Sequence, residues 1–480
     1  MKNNKNAINR RHFIKRTALT GIGITIIPRR VLGKGFTAPS DKLNIAVIGG
    51  GGKGYTDAIH SWNNDKNNIT AICDVDWGQS KRLMDKFPNA AKYKDFRKLF
   101  EDNNDFDAVT ISTPDHTHAV IAMAAMQLGK HVYVQKPLTH NIYEARTLTN
   151  AANRYKIVSQ MGNQGASGHG VKQMIKWFDA GLIGTVSEVQ AWTDRPVWPQ
   201  GIEPPTEKPT LLNSLDWDSW IGPAQWVDYH PSYHPFKWRG WWNFGTGALG
   251  DMGCHLMDPP YRILGLGYPT EVESSVGAIY KKLWEPENNP ESCPPSSRTQ
   301  LKFSATTKNK SDVTLTWTDG GLRPFHPELI PADHPIGENN SSNGVLMIGD
   351  KGIMTCGTYG RNPKVYLNNG DVLTPNDLGT NILPEHGHHT AWIEACKEGY
   401  GKEKHQALTS SFDYAGPLTE TVLMGNLAIR SYMLTKPKGD NKVDYPGRKR
   451  LLWNGEQMKI TNFDEANQFV KREYRAGWSL

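Results

Sequence analysis

The sequence predicts an α/β fold whose N-terminal part is a doubly wound parallel sheet. Three observations predict it. Short apolar runs alternate with helix-compatible stretches between residue 43 and about residue 160, and near-continuous apolar runs suit strands covered on both faces. The first run, 43–48, ends in glycines at 49, 51 and 54, the spacing of a tight turn from a strand into a helix. The second run, 69–73, ends at Asp74, 20 residues beyond Gly54.

In chain order the strand candidates are 43–48, 69–73, 108–112, 131–134 and 157–160, with helix candidates 55–62, 78–87, 117–128 and 141–155 between them. Gly49 lets the chain turn out of its strand, and Gly51 lets backbone amides approach a pyrophosphate. Gly54 lets the next helix pack closely, its positive N-terminus aimed at phosphates. Gly52 and Lys53 fall within the same turn. Asp74 is spaced to hold ribose hydroxyls, and its charge would repel a 2′-phosphate, so the cofactor expected in residues 41–160 is NAD rather than NADP. Two more strand ends should border it. Thr113, Pro114 and His116 open a helix after the 108–112 strand and are expected to lie along the cofactor, with Asp115 or Thr117 capping that helix. Lys136, before Pro137, points from the next strand end into the crevice.

Beyond residue 160 the alternation stops. A helix is expected at 171–180 and a strand at 186–192, followed by a Trp- and Pro-rich stretch, 195–242. Aromatic faces stack on the C–H face of a sugar ring; Trp192 and Trp198 are the candidates for that role, and the other tryptophans are assigned to packing. Asp251 and His255 stand four apart, on one face of a helix. From residue 272 the chain reads as strands and long loops. His388 and His389 are neighbours that cannot face the same way, which favours substrate contact or helix capping over a metal site.

The formal charge is +7, but residues 1–33 carry eight Lys and Arg and no acid. Removing those eight from the 55 basic residues leaves 47 against 48 acidic ones, a net of −1. A nearly neutral body with no basic stripe excludes a nucleic-acid or membrane-surface partner. The five cysteines are scattered without paired spacing, and buried thiols are expected. Asn9-Arg10-Arg11-His12-Phe13-Ile14-Lys15 resembles the twin-arginine export pattern. The apolar stretch 17–27 that follows is too short for a bilayer, which takes ~20 residues. Residues 1–33 are thus expected to be a signal peptide engaging the twin-arginine machinery, with a periplasmic product and no stable membrane anchor.

The motifs together resemble the Gfo/Idh/MocA oxidoreductases: the glycines at 49–54, Cys73-Asp74-Val75-Asp76, Thr113-Pro114-Asp115-His116, Gln135-Lys136-Pro137, and the Gly250–Asp258 segment containing Asp251 and His255. The resemblance implies a Rossmann domain followed, over 161–480, by an α/β domain with a large open, mainly antiparallel sheet that often mediates homo-oligomerisation. It implies Lys136, Asp251 and His255 as the catalytic, substrate-touching group, with His255 as acid/base. One departure is Gln135, where the family usually has glutamate. The implied activity is hydride transfer between a tightly held NAD and a sugar or glycoside hydroxyl, at carbon 3 as the first choice. The rivals are an NAD-dependent redox glycoside hydrolase, whose Y-P-T-H segment is absent near 251–255, and a non-catalytic sugar-binding protein of the same fold. Replacing Arg10 and Arg11 together by lysine is expected to strand a folded, unprocessed precursor in the cytoplasm. Cell fractionation checks this, and normal periplasmic yield of the double variant would refute export by this route.

Overall fold

Six short strands open the fold: β1 (Asn44–Ile48), β2 (Asn68–Cys73), β3 (Ala91–Tyr93), β4 (Ala108–Ile111), β5 (His131–Val134) and β6 (Ser159–Met161). They form one parallel sheet in the order β3-β2-β1-β4-β5-β6. The connecting helices are α1 (Lys53–Trp62), α2 (Trp77–Lys86), α3 (Phe96–Asp102), α4 (Asp115–Gln127) and α5 (Ile142–Arg154). The computed structural model describes residues 41–103, 105–287, 289–375, 385–439 and 442–480; the expected signal peptide lies outside them. Two units divide the chain, Met1–Lys42 and Leu43–Leu480, and both sheets belong to the second.

The apolar run of β1 is buried at Ile45, Ala46, Val47 and Ile48 because helices cover both faces of the sheet. Strand order reverses between β1 and β4, and that reversal opens a crevice at their carboxyl ends. The glycine turn builds its wall. Gly49 leaves β1 at φ +82°, and a Cβ on Gly54 would stand 1.8 Å from the Gly49 carbonyl oxygen. No other residue allows α1 to start so close to the sheet.

The second sheet has ten strands. β7 (Val186–Thr193) pairs parallel with β10 (Val313–Thr318) and antiparallel with β11 (Asn343–Gly349). On one side follow β9 (Ser297–Phe303), β8 (Glu271–Val276), β15 (Leu451–Asn454) and β16 (Lys459–Ile460). On the other follow β12 (Gly352–Cys356), β13 (Lys364–Leu367) and β14 (Val372–Leu373). Apart from β7 with β10, neighbours are antiparallel.

Four helices complete the site's frame: α6 (His169–Asp179), α7 (Gly247–Leu256), α8 (Glu385–Glu398) and α9 (Phe412–Tyr432). Reading the last third as strands and loops is corrected here, since α9 runs for 21 residues. It packs against α5, α7 and strands β8 and β9 at once. A helix buried all round shows no amphipathic stripe, which is why its periodicity was not legible. Gly253 lets α7 meet α9 closely: a Cβ there would lie 2.8 Å from Val422 Cγ1. All five cysteines are buried and unpaired.

Candidate active site

The carboxyl ends of β1, β2, β4 and β5 border a cleft of about 540 Å3. Gly49, Gly51, Gly52 and Lys53 line it from the first turn, Asp74 from the end of β2, Thr113 and Pro114 from the loop after β4, and Lys136 from the loop after β5. The second domain adds Asp251 and His255 from α7, with Trp198, Arg239 and Tyr359. Gly54 acts one layer back, in the α1–β1 packing.

Asp74 Oδ2 accepts the backbone N–H of Gly50 (2.7 Å) and of Gly51 (3.2 Å), and Oδ1 accepts that of Asp76 (2.9 Å). Burial nevertheless pushes its pKa up to about 6, outweighing those donors. Gly52 has φ +50°, and nothing lies within 4 Å of where its Cβ would be, so the turn is open to the cleft. A helix N-terminus beside open glycine backbone, with a carboxylate at the next strand end, fits a dinucleotide: amides for the pyrophosphate and Asp74 for a ribose.

Lys53 is engaged behind this turn. Its Nζ lies 3.1 Å from Asp57, a carboxylate with no exposed surface. Asp57 also accepts Ser112 Oγ (2.8 Å) and Gln135 Nε2 (2.8 Å), and His389 Nε2 stands 3.1 Å from it. Burial alone would raise the Asp57 pKa; the His389 hydrogen bond and the Lys53 charge overcome that and hold it well below the carboxylate range. This hub ties α1, the ends of β4 and β5, and α8 together.

On the opposite wall, Lys136 Nζ donates to Asp251 Oδ1 (2.9 Å) and to the Asp251 carbonyl oxygen (2.6 Å). Arg239 Nε donates to the same carboxylate (3.2 Å). Burial opposes ionisation of Asp251, but Lys136 and Arg239 keep its pKa far below normal. One turn on, His255 is 4% exposed and edge-on to the Tyr359 ring, with centroids 4.5 Å apart. No hydrogen bond to its ring is found among the described residues, and Nδ1 is buried without a partner. Burial, reinforced by the Lys136 charge, drives its pKa well below the ordinary histidine value. The ring is therefore neutral and able to accept a proton.

Several expected positions are corrected. His116 does not line the cleft: it is buried between Trp220 and Phe244, its Nε2 2.8 Å from the Trp220 carbonyl oxygen. Trp192 is fully buried in the second sheet and donates Nε1 to Ser341 O (2.9 Å); it does not line the cleft either. Trp198 does line the cleft, giving its Nε1 to Gln200 (2.9 Å). Neither Asp115 nor Thr117 caps α4, whose N-cap position is Pro114. Asp115 accepts Thr246 Oγ1 (2.6 Å), and burial raises its pKa to about 7 against the opposing charges of Arg239 and Lys136. His388 lies between Ser167 Oγ (2.7 Å) and the Met161 carbonyl (2.9 Å), and His389 serves Asp57; both are buried. Among the described residues no group of three His, Cys, Asp or Glu could hold a metal, and no helix is long and apolar enough to cross a membrane. Arg239, Tyr359, Asp57 and Asp115 are the site groups that sequence reasoning missed. Asp57 had one signal, its position four after Lys53, but that spacing also describes any surface helix ion pair.

Fold and cleft define a two-domain dinucleotide-binding α/β protein. Residues 43–163 match an oxidoreductase family's NAD-binding Rossmann fold, and residues 167–282 match the same family's C-terminal α/β domain. The chain belongs to the Gfo/Idh/MocA family. Among curated relatives, a glycosyl hydrolase family 109 protein of Shewanella pealeana is 26% identical over 211 residues, covering 38% of this chain and 45% of the relative. A levoglucosan dehydrogenase of Pseudarthrobacter phenanthrenivorans is 27% identical over 172 residues, covering 36% of each chain. The chain thus matches less than half the length of these relatives. The solved levoglucosan dehydrogenase complex with NADH and levoglucosan shares the fold, with TM-score 0.54 and 18% identity over 79% of this chain and 95% of that one.

Removing the Asp57 carboxylate leaves Gln135, Ser112 and His389 without their acceptor. Asp57→Ala is expected to cost about 3–5 kcal/mol at pH 7, read by urea unfolding. The folded pKa lies below the unfolded value of about 3.9, so the stabilisation is fully present above that value and is lost as pH falls below it. The gap between wild type and variant should therefore narrow below about pH 4. A gap that is flat down to acid unfolding would contradict the assignment.

Proposed function

We propose that the protein is an NAD-dependent oxidoreductase that acts on a hydroxyl of a sugar or glycoside. One observation carries this reading: Lys136, Asp251 and His255, from two domains, share a single cleft with the glycine turn and Asp74. The open backbone at Gly52 and the N-terminus of α1 would hold the pyrophosphate, Asp74 a ribose, and the Thr113–Pro114 loop the flank of the cofactor. NAD, when bound, supplies the hydride acceptor. His255, neutral and buried, takes the proton from the reacting hydroxyl. Lys136 donates a hydrogen bond to that oxygen and stabilises the negative charge developing on it. This donation lowers the hydroxyl's own pKa, which offsets the weakened basicity of the imidazole. Asp251, fixed by Lys136 and Arg239, accepts a neighbouring hydroxyl and orients the ring.

Likeness to a family 109 glycosyl hydrolase favours a second reading, in which oxidation is transient and the glycoside is cleaved without net NADH. The twin-arginine motif at 9–15 supports export of either enzyme to the periplasm, and the large second sheet supports a homo-oligomer as its working form.

Single-turnover absorbance of NADH, with glycosides and at matched folded concentration, tests the roles. His255→Ala is expected to slow hydride transfer ~10²–10⁴-fold while leaving NAD affinity nearly intact. Lys136→Ala should lose a similar factor, and the double variant much less than the product of the two, because both act on one oxygen. Asp251→Ala should raise KM more than it lowers kcat. An undiminished rate in His255→Ala would remove that residue from the mechanism.

A further inference from the structure

A second cavity, of about 730 Å3, shares no lining residue with the cleft. Helix α9 contributes Asn426 and Arg430 to it, the Trp-rich stretch contributes Trp241 and Trp242, and the C-terminal tail contributes Phe469 and Arg472. Nothing in the proposed redox chemistry uses these groups.

Arg430 is the group that needs explaining, because an arginine largely withdrawn from water is almost always paired. No hydrogen bond or ion pair holds its guanidinium among the described residues, and its Nε is occluded without a partner. Its neighbours are ring faces, Phe469 at 4.2 Å and Trp242 at 5.6 Å from the guanidinium carbon. The site is deep enough for desolvation to lower the pKa to about 10, and no carboxylate offsets this. Arg430 lines the cavity.

The groups around Arg430 repeat the imbalance. Arg472 gives Nε to Glu144 (2.9 Å), but its Nη1 is buried without a partner. His140 sits close to both arginines; burial, then their charges, hold it neutral. Trp242 Nε1 is buried without an acceptor, while Asn426 gives its amide nitrogen to Thr246 O (2.9 Å) and leaves its own oxygen unpartnered. Lys471, Glu291 and Glu473 are exposed and make only the rim. Among the described residues the cavity thus offers an unpaired guanidinium and aromatic walls.

We propose that this cavity binds a small organic carboxylate, its carboxylate on Arg430 and its apolar face against Trp242 and Trp241. A guanidinium is planar and matches a carboxylate with two parallel N–H···O bonds, strongest where water is excluded. The aromatic walls add contact that a bare inorganic anion cannot use.

Isothermal titration of the full-length, NAD-loaded protein with sodium glucuronate, sodium benzoate, glucose and sodium sulfate at matched ionic strength is the test. At least one carboxylate should bind saturably at one site per chain, while glucose and sulfate do not. Arg430→Gln should weaken that binding about tenfold or more, since a charged hydrogen bond is lost. Arg430→Lys should retain part of it, and Arg239→Ala, which alters the other cleft, should leave it unchanged. On wild-type protein the same carboxylate should protect Arg430 from phenylglyoxal, read by peptide mass spectrometry, so the result does not hang on a variant that folds poorly. No binding by either carboxylate, equal binding by Arg430→Gln, loss in Arg239→Ala, or no protection of Arg430 would each overturn the proposal.

Discussion

The pairing of Lys136 with Asp251 is the contact on which the site depends. It joins the end of a Rossmann strand to a helix of the second domain, 115 residues apart in sequence, through both the carboxylate and the carbonyl oxygen of Asp251. Two charges this poorly solvated would be costly without each other and without Arg239. Together they keep Asp251 ionised where burial alone would neutralise it. The Lys136 charge also reinforces the neutrality of His255. One ion pair therefore links the two domains at the cleft, presets an acceptor for a substrate hydroxyl and holds the imidazole neutral.

The hub at Asp57 gives the Gln135 amide its place in this chain. Gln135 Nε2 donates to Asp57 Oδ2 at 2.8 Å, in a position with 6% exposure. A glutamate at 135 would set two carboxylates side by side in a dry place, and one would have to hold a proton. With an amide there, the hub is satisfied, and Lys136 finds its counter-charge across the cleft in Asp251. The two networks are adjacent in sequence at 135 and 136 but point to opposite walls.

Much of this was legible in the residues. The glycine spacing, Asp74 and the strand–helix alternation located the Rossmann half, because each needs a particular residue at a particular step. The Asp251–His255 spacing placed both on one helix, though its pairing with Lys136 rested on family likeness. What stayed hidden was hidden by burial. His116 follows a loop that borders the cleft, yet its ring turns into the Trp220–Phe244 core, and sequence does not encode that rotation. Trp192 lies beside a tryptophan-rich region but packs against Ile330, Ile336 and Leu346, residues far along the chain. Arg430, which lines the second cavity, sits in a helix with no visible apolar stripe, so nothing in its local pattern marks it.

The central claim is that a substrate C–H bond in this cleft gives its hydride to bound NAD. Its most direct test uses NAD-loaded protein and a glycoside carrying deuterium on each hydroxyl-bearing ring carbon, quenched within one turnover. Mass spectrometry of the released dinucleotide should show NADH heavier by one mass unit than NADH formed from the unlabelled sugar. Turnover of the glycoside that yields only unlabelled dinucleotide would contradict the account.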